Sequence, residues 1–255
     1  MAGNEFLLHY QPVIDLHKEQ IIGVEAHLRW IPPVGNHKFP EQFLSVAEET
    51  GLIIPIGQWY LTTAAHQLKK LHTAGLTFLH MAVKVSAYQL RTSLIIDTIT
   101  ELLKDTGLPP NVLVLEITED VFLENVPETV TTLCKLDELG VQIAIDNFGS
   151  GGASLHSLRQ FPINILKIDP YFVHHVTIEA YDAILVKAII ALAHEMSIKV
   201  VADGVETEEQ LAFLRYHHCD LVQGRYFSKP LIPEDVEPYI RGKEKGAIGK
   251  GEQGT

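Results

Sequence analysis

Cysteine is almost missing from this chain: Cys134 and Cys219 are the only two in 255 residues. They are isolated, with no metal-ligand spacing and no disulfide framework, the usage expected in a reducing cytoplasm. Positive charge is scarce as well. Twenty Lys and Arg against 32 Asp and Glu leave a formal net charge of −12 at pH 7. That balance excludes bulk nucleic-acid binding, which needs a basic footprint. A small anionic ligand stays compatible with it if a few cations are held in a pocket. Long apolar runs are absent too: the longest apolar helix candidate, AILVKAIIALAHEM (183–196), carries charges and is too short to span a bilayer. No signal-peptide pattern is present, so the chain reads as cytoplasmic, either whole or as the cytoplasmic part of a larger protein. The 13 histidines show no metal-box spacing.

Hydrophobic residues make up 46% of the chain, enough for a substantial core. Strand-like and helix-like segments alternate. FLLHYQPVI (6–14) and IIGVEAHLRW (21–30) read as a hairpin. PEQFLSVAEET (40–50) reads as a helix opened by Pro40, and a longer helix runs from about Gln58 to Gly75. Strands follow around Lys84, at 112–118, 141–146, 164–169, 198–206 and 220–224, with helices at 93–106, 126–138, 181–196 and 207–215. A short helix is expected after the Gly-rich loop FGSGGAS. Seven or so strands, most followed by a helix, suggest a (β/α)-barrel, with a doubly wound open sheet as the alternative. Residues 1–240 then form one domain. The charged, Gly-rich 241–255 reads as a disordered tail or a cloning remnant. The first strand begins near Phe6, so the barrel reads as one domain cut from a longer protein.

In a barrel, polar residues at the C-terminal ends of strands converge on one site. Glu25, His27 and Arg29 share one face of their strand by its two-residue period. Glu116, Asp146 and Asp203 lie at strand ends, Lys167 and Asp169 share a face, and Glu119, Asn147, Glu206 and Gln223 lie just beyond. One alternative is that each caps the next helix, which suits Glu119 and Glu206 best. Clustered carboxylates repel, by roughly 4 kcal/mol for a pair 4 Å apart at an effective dielectric near 20. Such a cluster demands a cation. Lys84 projects toward it from AVKVS, where Met81, Val83 and Val85 face one way and Ala82, Lys84 and Ser86 the other.

Taken in order, YQPVIDL, GVEAHLRW, FPEQFLSVAEETGLI, LEITE, IAIDNFGSG, LKIDPYFV, VVADGVET and CDLVQGRYFSKPL resemble the EAL domain family over nearly the whole chain. These are bacterial cyclic-di-GMP phosphodiesterases and their inactive relatives. The resemblance implies a (β/α)8 TIM-type barrel with an antiparallel first strand. It also implies paired magnesium or manganese ions and linearisation of cyclic-di-GMP. Glu25 matches the signature glutamate, Glu116 a metal-binding glutamate and Asp146 the first of a paired aspartate. Lys167 and Asp169 match the catalytic-site lysine and aspartate, and Gln223 the late glutamine. Four positions depart from the pattern. His27 replaces the signature leucine, Lys84 a metal-binding asparagine and Asn147 the second aspartate. Asp203 stands in for the glutamate general base, one methylene shorter. The loop FGSGGAS lacks the tyrosine and serine that usually follow its second glycine, in a region that organises metals and dimer in active relatives.

These departures lead to the expectation that no catalytic or metal site is intact. Glu25, Glu116, Asp146 and Asp169 remain as vestigial ligands, and Lys84 takes the place of the first metal, paired with Glu25, Glu116 and Asp146. An ammonium neutralises carboxylates but cannot bring a bound water to a pKa near 7. The alternative is that Lys84 snorkels out of the barrel end. For function, the first expectation is a cyclic-di-GMP-binding signalling module. Gln11, Arg29 and the turn from Pro40 to Phe43 match positions that contact base and phosphate, with His27, Lys167, Asp203 and Gln223 completing the ligand set. His27 replaces a leucine that packs on the nucleotide, although a neutral imidazole can stack on guanine. The second expectation is a nucleotide-independent interaction domain, with a protein partner, flanking signalling domains or a second copy. The third is a weak phosphodiesterase needing magnesium or manganese; otherwise no cofactor is expected.

Overall fold

The computed structural model describes residues 5–32, 38–92, 94–122, 127–151 and 158–244. Eight strands close into a barrel in sequence order. They are β1 (Phe6–Asp15), β2 (Gln20–Trp30), β3 (His80–Lys84), β4 (Leu113–Thr118), β5 (Gln142–Phe148), β6 (Ile165–Ile168), β7 (Lys199–Ala202) and β8 (Leu221–Val222). Strand β1 runs antiparallel to both β2 and β8, while the pairs from β2 to β8 are parallel. The barrel is therefore as the alternation of strands and helices suggests, its reversed first strand is as the resemblance implies, and the open sheet is excluded.

Alternation along the strands sorts the side chains. Met81, Val83, Leu115, Ile117, Ile143 and Ile145 are buried in the main core between barrel and helices. The opposite faces carry the barrel's own interior, where Ala82, Val114, Ala144, Ile165, Val201 and Leu221 form a separate apolar cluster. Two residues further along come Lys84, Glu116, Asp146 and Lys167 on the strands themselves, and Asp203 and Gln223 just past the ends of β7 and β8. One end of the barrel interior is thus apolar and the other ionic.

Several boundaries differ from the sequence expectation for identifiable reasons. The expected helix 40–50 splits into a 3-10 turn, Pro40–Gln42, and α1 (Leu44–Glu49). Phe43 lies between them with φ −141°, its ring packed on Phe6 and Trp30 at centroid distances of 6.0 and 5.6 Å. Helix α2 (Ile53–Thr73) starts earlier than Gln58 because Pro55 falls in its first turn, where proline is tolerated. Short helices α3 (Ala87–Leu90) and α6 (Pro170–His175) were not expected. Between them α4 (Leu94–Thr106) and α5 (Pro127–Glu138) fall where expected, as do α7 (Ala180–Glu195) and α8 (Glu208–Tyr216). A last helix, α9 (Pro233–Glu244), takes in the first residues assigned to the tail. It is held by fully buried Val236 and Ile240 and by the Tyr239 hydroxyl, which donates to the Phe227 carbonyl at 2.7 Å. The short helix expected after the Gly-rich loop, and residues 245–255, lie outside the described residues.

Candidate functional site

The ionic end of the barrel is organised around Lys167. Its side chain is 2% exposed, and its Nζ lies 2.5 Å from Glu25 Oε2, 3.2 Å from Glu116 Oε1, 3.4 Å from Asp203 Oδ2 and 3.8 Å from Asp146 Oδ1. A second ammonium enters from above. Lys84 Nζ donates to Asp146 Oδ2 at 2.6 Å and lies 3.7 Å from Glu25 Oε1. About half of the Lys84 side chain is exposed, yet its head engages two carboxylates, so it does not snorkel away. Glu116, expected among its partners, pairs with Lys167 instead.

Local structure fixes these positions. Ser86 and Gln89 form a capping box that turns the chain into α3 immediately after β3, which ends at Lys84. From α2 the Tyr60 hydroxyl donates to the Ala26 carbonyl at 2.5 Å and accepts the Lys84 backbone N–H at 3.4 Å. It joins β2 to β3 beneath the lysine. The sequence reading missed Tyr60; a tyrosine on the buried stripe of a helix requires a partner for its hydroxyl, and that was the available signal. Gln223 Nε2 donates to Glu25 Oε2 at 2.7 Å and to Gln11 Oε1 at 3.1 Å. Gln11 in turn donates to the Ser228 carbonyl at 3.0 Å.

The electrostatics divide the four acids into two kinds. Burial alone would raise Glu25, but Lys167 and then Lys84 hold it well below the usual carboxylate range. Asp146 is lowered against its burial by the same two lysines. Glu116 goes the other way, pushed up to about 8 by burial and by the charge of Glu25. Asp203 is also raised, by burial that outweighs Lys167. Both lysines are shifted up, since the surrounding carboxylates overcome the burial that would lower them. At neutral pH the two ammonium groups thus face two firmly ionised carboxylates, Glu25 and Asp146, and Glu116 holds a proton. Burial lowers His27 to about 4, so its imidazole is neutral, with Nδ1 3.7 Å from Glu25 Oε1.

Other sequence-selected residues lie at or beyond the rim. Arg29 sits at the far end of β2, its guanidinium 4.7 Å from the Phe39 ring centroid and donating to the Leu28 carbonyl at 2.8 Å. The next residue after Phe39, Pro40, opens the 3-10 turn. Asp169 caps α6, accepting the Tyr171 N–H at 2.8 Å. Asn147 has φ +56°, a left-handed conformation in which Asn is enriched, and its carbonyl accepts the Ser150 hydroxyl at 2.8 Å. Glu119 does not cap a helix: its Oε2 accepts the backbone N–H groups of Gly149 and Gly151 at 3.0 and 2.9 Å, anchoring the loop after β5. Residues 152–154 of FGSGGAS lie outside the described residues. Glu206 lies 3.6 Å from Arg225 and 3.9 Å from His174, while the cap of α8 is Thr207.

Among the described residues, no group of three or more His, Cys, Asp or Glu is arranged to hold a metal ion. The geometry is that of a barrel-end pocket whose carboxylates are neutralised by side-chain amines. The family model described as "EAL domain" matches residues 1–230. This chain belongs to the EAL domain family. Among curated EAL relatives, the cyclic di-GMP phosphodiesterase NbdA of Pseudomonas aeruginosa is 40% identical over 241 residues, which are 94% of this chain and 31% of NbdA. The chain spans about a third of the length of the first curated relatives it matches. Among solved structures, the PaMucR phosphodiesterase–c-di-GMP complex superposes with a TM-score of 0.88 at 37% identity, covering 92% of this chain and 95% of that one. The FimX EAL domain of P. aeruginosa bound to c-di-GMP superposes with a TM-score of 0.82 at 27% identity, covering 90% and 92%. No helix among the described residues is long and apolar enough to cross a membrane.

Proposed function

We propose that this EAL domain is a cyclic-di-GMP receptor that does not hydrolyse its ligand. The observation that carries the reading is the Lys84 ammonium, 2.6 Å from Asp146 Oδ2. A magnesium ion needs oxygens at about 2.0–2.1 Å in near-octahedral array. Here an oxygen of Asp146 and an oxygen of Glu25 already receive ammonium groups at 2.6 and 2.5 Å. A divalent ion 4 Å from one such ammonium meets a repulsion of roughly 8 kcal/mol at an effective dielectric near 20. The residues present therefore do not fit a metal pair. Asn147 in place of an aspartate and the shortened Asp203 point the same way.

Ligand binding is supported separately. PaMucR and FimX were solved with c-di-GMP bound, and this chain covers nine-tenths of each. Arg29 stands at the open end of the barrel with a guanidinium suited to a phosphate fork. The neutral imidazole of His27 offers a flat apolar face to a purine. One observation favours a protein-docking role beside it: Tyr171, Ile178, Tyr181 and Ile184, close along α6 and α7, are all exposed.

Titration calorimetry with cyclic-di-GMP, first in EDTA and then in excess manganese, tests the proposal. The expected result is binding of equal affinity in both, with no linear dinucleotide formed. No heat in either buffer would leave the docking role alone. Linear product appearing only with manganese would establish a phosphodiesterase.

A further inference from the structure

We propose that the barrel has a second ligand site, at the end opposite the ionic cluster, that takes a medium-chain aliphatic carboxylate. It is independent of the nucleotide reading. Barrels of this architecture ordinarily fill their interior with layers of bulky branched side chains. Here the layer below the cluster has alanine at 82 on β3 and at 144 on β5, and a cavity of about 250 Å³ remains. The middle of its wall is apolar, from Ala82, Val114, Ala144, Ile165, Val201 and Leu221, with Gln20 and Gln142 also on the lining. Glu116 and Gln223 form its inner end. The Glu116 carboxyl is engaged by Lys167 and the Gln223 Nε2 by Glu25, while Gln223 Oε1 has no hydrogen-bond partner among the described residues.

The outer end lies at the N-terminal rim of the parallel strands, where Lys18, His80 and Lys199 line it. Lys199 is exposed, and among the described residues no carboxylate is paired with it. Two acids stand at this rim: Asp220 is engaged by the Val200 N–H and His194, both at 2.9 Å, and Asp15 by its own turn. Its Oδ1 accepts the His17 and Lys18 N–H groups, both at 2.9 Å, and its Oδ2 lies 3.6 Å from Lys18 Nζ. An apolar shaft below an ammonium-bearing rim matches a molecule with a straight hydrocarbon tail and a carboxylate head. A dry cavity of about 150 Å³ is known to hold benzene, so this one accommodates a chain of about eight carbons.

The test is a series of straight-chain carboxylates from butanoate to dodecanoate, titrated into the protein in EDTA and followed by methyl NMR. Affinity should rise about fourfold per added methylene, from about 0.8 kcal/mol each, and level off near octanoate. The shifted methyls should be those of Val114, Ile165 and Val201. Ala144→Leu, which fills the shaft, should weaken octanoate at least tenfold. Lys199→Gln, at the exposed rim, should weaken octanoate several-fold and leave 1-octanol unchanged, and it serves if Ala144→Leu does not fold. Three results would overturn the proposal. They are affinity without chain-length dependence, undiminished binding by folded Ala144→Leu, and shifts confined to Val46 and Ile56 in the outer cleft beside Trp30 and Phe43.

Discussion

Replacing Glu116 by glutamine tests the charge arrangement of the site through stability. Glu116 is buried and its carboxyl is pushed from the ordinary 4.5 up to about 8. An acid raised in the folded state stabilises fully below its unfolded value, and that contribution is lost as pH rises toward the folded value. His27, lowered from 6.5 to about 4, works in the opposite sense, adding stability as pH rises to 6.5. The two offset each other below pH 6.5, so Glu116 acts unopposed by His27 between pH 6.5 and 8. One proton released on unfolding gives a slope approaching 1.36 kcal/mol per pH unit, or about 1.5–2 kcal/mol across that window. Urea unfolding at pH 6.5, 7.2 and 8.0 measures it. The wild type should lose about that much stability, and Glu116→Gln should lose much less, because the amide does not titrate. Equal slopes for the two proteins would refute the assignment of a protonated Glu116.

Lys167→Met should cost about 3–5 kcal/mol in urea unfolding at pH 7, because it leaves buried carboxylates uncompensated. Lys84→Met should cost less, about 1–2 kcal/mol, since solvent reaches half of that side chain. The double change Lys84→Asn, Asn147→Asp should give the pocket a manganese affinity, read by calorimetry, that the wild type lacks. Thr207→Ala removes the cap of α8, whose hydroxyl accepts the Gln210 N–H at 3.2 Å, and should cost about 1 kcal/mol without changing nucleotide binding.

Much of this arrangement was legible before the structure. Period-two alternation placed Lys84, Glu116, Asp146 and Lys167 on interior faces, and the alternation of strands with helices implied that their ends meet. What alternation does not carry is partner choice. Two ammonium groups and four carboxylates can be paired in several ways, and only the folded geometry puts Lys167 within 4 Å of all four acids. Residues just past strand ends were hardest to place. Asp169 and Glu119 directly follow the last residues of β6 and β4, and Glu206 lies four residues past the end of β7, where the backbone leaves the barrel direction. Asp169 became a helix cap, Glu119 a loop anchor and Glu206 a partner of Arg225. Tyr60 and α9 belong to the helical layer, whose contacts depend on how helices dock, which no local pattern records.

The most direct test of the central claim is anomalous diffraction from crystals soaked in manganese at neutral pH. The account predicts no manganese peak within coordinating distance of Asp146 or Glu25, with the Lys84 ammonium still seated on Asp146. A pair of manganese peaks among those carboxylates, with Lys84 swung aside, would contradict it.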